Sequence, residues 1–228
     1  MRRVGFKQFI VGTLILAFLL VIYHEFIGRV AIEPFNPGSR VEVPLLISPQ
    51  DQNANQIPDA IDLVNGARRE VERGTIYDAS YYAKGYPPEG RGACTDVIWR
   101  AFREAGYDLK AMLDEDIKAN PEVYGSTGEN PDPAIDFRRV KNLQVFFSCY
   151  GQELTSEVIE RNIENLKQWQ PGDIVIFASP YEHIGVVSDQ RLKNGIPLVI
   201  HNGGPRASET NALQLWPSPI LYHFRLLQ

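Results

Sequence analysis

The pattern of apolar positions changes along this chain. From Phe9 to Tyr23 it is a continuous run relieved only by Gly12 and Thr13, behind a basic flank of Arg2, Arg3 and Lys7. Between Pro58 and Arg73, Ile61, Val64, Ala67 and Val71 recur at helical spacing, and Gly74 supplies a stop. A second helix is expected from Cys94, with Val97, Ile98, Ala101, Phe102 and Ala105 on one face and Gly106 at its end. Residues 107–142 are dense in Pro, Gly and Asn and read as mostly loop. Helical patterning returns from Thr155 to Trp169, with Thr155 or Ser156 as the N-cap. The period then shortens. Asp173–Phe177, His183–Ser188, Pro197–His201 and Ile220–Leu226 are short β-branched runs, and Asn194-Gly195 predicts a hairpin between the second and third. Helices followed by an antiparallel sheet predict an α+β domain.

The first apolar run is read as a membrane segment, residues 1–28. Phe9 to Tyr23 is short of the roughly 20 residues a span needs, and extension to Ile27 places His24 and Glu25 near the outer interface. The alternative is a cleaved signal peptide, against which Tyr23, His24, Glu25 and Phe26 offer no small-residue cleavage site. The basic flank stays in the cytoplasm, so the expected location is the cell membrane, with a single N-terminal anchor and the domain outside; if the segment is cleaved, the protein is secreted. Residues 29–50, with Pro34, Pro37, Gly38, Pro44 and Pro49, read as a linker, and residues 67–228 as the main domain.

Composition narrows the class. A hydrophobic content of 44% with 22% charged residues describes a globular chain. A formal charge of -5 argues against nucleic acid as a partner, because a phosphate binder needs a basic face.

Outside the cytoplasm, the two cysteines, Cys94 and Cys149, would ordinarily suggest a disulfide. Cys149 sits in the apolar stretch Val145–Tyr150 and reads as a small buried hydrophobe. Cys94 is placed differently. It follows Arg91-Gly92-Ala93 and opens a helix, where unpaired N–H groups favour a thiolate and lower its pKa. Such a nucleophile needs a base and a group that orients the base. His24 lies at the membrane edge, and strand alternation leaves the direction of His223 open. His183 and His201 stand at the ends of strands joined by Asn194-Gly195, so antiparallel pairing in matching register brings them together. This reading makes His183 the base and His201, or Asn202, its orienter.

These residues carry a resemblance. Tyr82, Gly85, Pro87, Cys94-Thr95, Pro171-Gly172-Asp173, His183-Ile184-Gly185 and Ile200-His201-Asn202 together resemble the NlpC/p60 superfamily of papain-like cysteine peptidases. More narrowly, residues 70 to 228 are similar to the bacterial family of unknown function typified by YijF. That likeness runs through Tyr77-Asp78-Ala79, Gly85 to Gly92, Cys94-Thr95-Asp96-Val97, Asp136 to Val140 and Leu198 to Asn202. The run Ala93-Cys94-Thr95-Asp96 departs from the Asp-Cys-Ser-Gly usual in NlpC/p60 proteins. The resemblance implies a papain-like fold in which N-terminal helices pack on a small antiparallel sheet. It implies Cys94 as nucleophile, His183 as proton carrier and His201 as orienter, with Tyr82 and Asn202 at the substrate or oxyanion. No cofactor is expected for catalysis.

A separate motif precedes the domain. In Asp51-Gln52-Asn53-Ala54-Asn55-Gln56-Ile57-Pro58-Asp59-Ala60-Ile61-Asp62, oxygen ligands fall as in a loop that wraps Ca²⁺ before a helix. It resembles the calcium loops of thrombospondin type 3 repeats and dockerins. The expected ligands of a structural Ca²⁺ are Asp51, Asn53, Asn55, Ile57, Asp59 and Asp62, within a unit spanning 51–66. Gln56 replaces the usual Gly, Asp62 replaces the usual Glu, and the competing reading is an Asx-rich helix-capping turn.

The function expected is therefore an extracytoplasmic cysteine peptidase or amidase, acting through a thioester on cell-wall peptidoglycan peptides. The competing classes are a non-catalytic cell-wall-binding scaffold of the same fold and an acyltransferase that uses the same cysteine.

Overall fold

The computed structural model describes residues 39–226. The expected membrane segment, 1–28, and the first part of the expected linker, 29–38, lie outside them. Among the described residues no helix is long and apolar enough to cross a membrane.

The first helix among the described residues, α1 (Asp59–Arg73), ends at Gly74, whose left-handed φ of 66° lets its N–H reach back to the last turn. Two-residue strands β1 (Ile76–Tyr77) and β2 (Arg91–Gly92) pair in parallel and lead into α2 (Cys94–Glu104). Helix α3 (Leu109–Ala119), the short turns at Pro121–Tyr124, α4 (Ser126–Glu129) and Asp136–Arg138, and helix α5 (Val140–Tyr150) follow. The remaining elements are β3 (Gln152–Glu153), α6 (Ile163–Leu166), β4 (Ile174–Phe177), β5 (His183–Arg191), β6 (Pro197–His201), β7 (Ser208–Thr210), α7 (Ala212–Leu215) and β8 (Ile220–Arg225).

Among the described residues the main sheet is antiparallel with strand order β3-β8-β4-β5-β6-β7. The α+β class is as expected. Strand alternation divides the core. Ile174, Ile176, Ile184, Val186 and Ile200 pack with α1, α2 and α5 on one face, while Val175, Phe177, Val187 and Val199 pack with Leu166, Trp169 and Leu213 on the other.

Two expectations fail. Residues 107–142 are largely helical, because Asp108 caps α3 through its side chain and Leu109, Leu113 and Ile117 bury one face. The helix expected from Thr155 to Trp169 shrinks to α6. Arg161 there has a left-handed φ of 59°, and the Asn165 side chain binds the backbone of Glu157 and Ile159 in place of a helical ladder.

Candidate active site

Cys94 is the first residue of α2, and the turn beneath it is built by Asp96. The Asp96 carboxylate accepts the Ala93 N–H at 2.6 Å and the Trp99 indole N–H at 2.8 Å, and it forms a two-pronged ion pair with Arg138 at 2.8 and 2.9 Å. Both partners are buried. The Arg138 guanidinium also donates to the carbonyls of Ser80 and Asp78, so one ion pair ties the helix start to the 78–82 loop. Gly92 lies so close to this carboxylate that a Cβ there would stand 2.6 Å from Asp96 Cβ.

The Cys94 sulfur faces the backbone N–H groups of Ile184, Thr95 and its own residue. It is 8% exposed, and burial pushes its thiol up to about 11 against the lowering effect of those N–H groups. The low-pKa thiol expected at a helix start is therefore corrected: desolvation outweighs the helix terminus. Cys149 is exposed, not buried, and both cysteines are free thiols.

The expected meeting of the two histidines is present. Val186 pairs with Ile200, which sets Gly185 across from His201 and His183 diagonal to it. The absent side chain at Gly185 leaves that space open, since a Cβ would lie 2.4 Å from Val199 Cγ1 and 3.3 Å from His201 Cβ. His183 Nε2 stands 2.9 Å from His201 Nδ1, and His201 Nε2 stands 2.8 Å from Thr210 Oγ1. Trp216 stacks on His183 at 3.9 Å and 12°, fixed by its indole N–H donated to the Tyr181 carbonyl. Burial, then the neighbouring His201, holds the His183 imidazole well below its ordinary value, and burial lowers His201 to about 4. Both rings are neutral at pH 7. Among the described residues no hydrogen bond joins the thiol to His183; the sulfur meets β5 at Ile184, the next residue along.

Asn202 is fully buried and ties the strand end to the loop before Cys94, donating to the carbonyls of Gly92 and Thr75. His201, not Asn202, is the group that touches His183. Tyr82 donates its hydroxyl to Asp78 at 2.8 Å. The phenol beside Cys94 is Tyr77, raised by burial and then by its neighbours Cys94 and Asp96. Sequence reasoning missed Tyr77, Thr210 and Trp216. Tyr77 did stand within the quoted Tyr77-Asp78-Ala79 stretch, but no local pattern marks the other two. Surface cavities of about 560 and 450 Å³ open elsewhere, one beside Tyr86, Trp99 and Arg103 and one between Leu46 and Arg225; neither is lined by Cys94, His183 or His201.

The 51–62 loop closes on itself. Asp51 accepts the N–H groups of Asn55 and Gln56, and Asn53 and Asn55 accept at Asn55 and Ile57. Asp62 Oδ2 receives the amides of Asn53 and Asn55, each at 2.9 Å. Asp59 accepts from Gln52 N–H and the Tyr107 hydroxyl. Of the expected calcium ligands, Asn53, Asn55 and Asp62 thus converge, and they are oxygen-bearing groups of the kind Ca²⁺ takes. Among the described residues no group of three or more His, Cys, Asp or Glu is placed to hold a metal ion.

Comparison with known proteins adds a family. The family described as "Domain of unknown function (DUF1287)" matches residues 64–226. A protein of Escherichia coli (strain K12), described as uncharacterized protein YijF, is 36% identical over 162 residues, covering 68% of this chain and 76% of that protein. No solved structure matches.

Proposed function

This chain belongs to the DUF1287 family, and on that premise we propose that it is a papain-like, NlpC/p60-type cysteine hydrolase of amide or peptide bonds. One observation carries the reading. A thiol at the first turn of α2 lies against the Ile184 amide, and the residue before Ile184 is an imidazole whose far nitrogen is held by a second imidazole at 2.9 Å. With Nε2 of His183 engaged by His201, Nδ1 is the nitrogen left to serve the thiol.

Because the thiol and both imidazoles are neutral at rest, the proton moves during attack rather than before it. The Cys94 proton passes to His183 Nδ1 as Sγ bonds to the substrate carbonyl carbon. The imidazolium so formed donates its Nε2–H to His201 Nδ1. His183 then returns the proton to the leaving amine as the C–N bond breaks, giving a thioester. Water, deprotonated by His183, adds to the thioester and releases the acid and the free thiol. The backbone N–H groups around Sγ supply donors for charge on the sulfur and the oxyanion.

The apolar run behind Arg2, Arg3 and Lys7 favours a single anchor with the domain outside the cytoplasm, and therefore cell-wall peptides as the substrate. Purified full-length protein incubated with peptidoglycan is expected to release peptide fragments readable by mass spectrometry. Cys94→Ala and His183→Ala are expected to release none, and His201→Ala a reduced amount, because an orienting group matters less than the base itself. Undiminished release by His183→Ala would overturn the mechanism. The burial of Sγ favours a second reading, a non-catalytic cell-wall-binding protein of the same fold. It predicts retention on peptidoglycan with no fragments.

A further inference from the structure

We propose that Thr210 is a positioning residue for the imidazole pair, its hydroxyl accepting the Nε2–H of His201 and so fixing which nitrogen of each ring carries the proton. This rests on the Cys94–His183 reading and extends it to a residue without local sequence signal. The geometry is a chain: His183 Nε2 to His201 Nδ1 at 2.9 Å, then His201 Nε2 to Thr210 Oγ1 at 2.8 Å. The two rings stand at 89° to one another, which aims the edge of one at the edge nitrogen of the next. His201 is 5% exposed, so bulk water does not supply an alternative partner.

A neutral imidazole has one N–H and one lone pair, so each bond in the chain constrains the next. For His183 to take a proton at Nδ1, its resting proton must sit on Nε2 and be donated to a lone pair on His201 Nδ1. The His201 proton must then sit on Nε2, where it needs an acceptor. Among the described residues that acceptor is Thr210, carried on β7, whose register with β6 sets Thr210 opposite Val199 and diagonal to His201. Without the hydroxyl, His201 can move its proton to Nδ1 and donate it to His183. His183 is then protonated on Nδ1 and faces the thiol as a donor instead of a base.

The test is nitrogen-15 NMR of the histidine rings in the purified full-length protein, with alkylation of Cys94 read in a Cys149→Ser background. The native protein is expected to carry the proton on Nε2 of both His183 and His201. Thr210→Val is expected to exchange protonated and unprotonated ring signals in both residues and to slow Cys94 alkylation at neutral pH by about tenfold, the scale of one lost hydrogen bond. Thr210→Ser is expected to restore both. A native spectrum with the His201 proton on Nδ1 overturns the proposal, even if Thr210→Val fails to fold. So does a folded Thr210→Val with both rings unchanged. If the tautomers are as stated but peptidoglycan is not hydrolysed, the hydrolase reading falls and the Thr210 assignment stands.

Discussion

Cys94 brings two residue-scale effects into opposition. The first turn of a helix favours a charged sulfur by about 0.3–1 kcal/mol, reaching ~2 kcal/mol in favourable buried settings. Taking that charge out of water can cost several pKa units. Burial prevails, leaving a protonated thiol that depends on its base. The same burial acts on His201 with the opposite sign. Its folded value of about 4 lies below the ordinary 6.5, so the unfolded chain binds more protons between those values. This stability is complete above pH 6.5 and is lost as pH falls toward 4, by about 3 kcal/mol for the single group. Urea unfolding at pH 7 and pH 4 is expected to show a smaller loss for His201→Gln than for the native chain. Equal losses would mean that the imidazole is not held neutral by the fold.

At the scale of elements, the start of α2 depends on the Asp96–Arg138 pair. Arg138→Met would leave a buried carboxylate beside Ala93 and Trp99 without its cation, and such losses cost about 3–5 kcal/mol. Chemical denaturation is expected to show that loss together with reduced alkylation of Cys94, since the 78–82 loop is released as well. A cost well under ~1 kcal/mol would show that the helix cap stands without the pair. The loop ahead of α1 poses a different question. For calcium to bind, oxygens of Asn53, Asn55 and Asp62 must replace the present amide-to-carboxylate bonds. Calcium is expected to raise the melting temperature, by the free energy of a ligand that binds only the native state, and Asp51→Ala to remove the rise. Calorimetry with no heat and equal stability in EDTA would leave the segment as a capping turn for α1.

On the scale of the whole molecule, residues 39–50 lie along the domain rather than leading freely to it. Val41 donates its N–H to the Lys193 carbonyl, and the Gln170 side chain both receives the Leu46 N–H and donates to the Pro44 carbonyl. Val41 and Val43 pack against the core around Leu166 and Trp169. Removing residues 1–50 is expected to cost about 2 kcal/mol, the scale of one half-buried valine pair. Unchanged urea unfolding after truncation would return the segment to the role of a tether.

What the sequence determined by itself was local. The spacing of Ile61, Val64 and Ala67 and the stop at Gly74 specify α1, because helix geometry repeats within a few residues. The β-branched runs and the Asn194-Gly195 turn specify β4, β5 and β6 and make β5 and β6 antiparallel neighbours, while the meeting of His183 and His201 also needs the register shift between Val187 and Arg191, which the turn does not encode. Helix α3 was hidden because nearby prolines and glycines in 107–142 outweighed the spacing of Leu109, Leu113 and Ile117. What only the tertiary structure decided depends on distant segments: which tyrosine stands beside Cys94, that Thr210 ends the imidazole chain, that Trp216 covers His183, and how far water is excluded from the thiol. Desolvation and cross-strand contact come from segments many residues apart in the chain, so no local pattern records them.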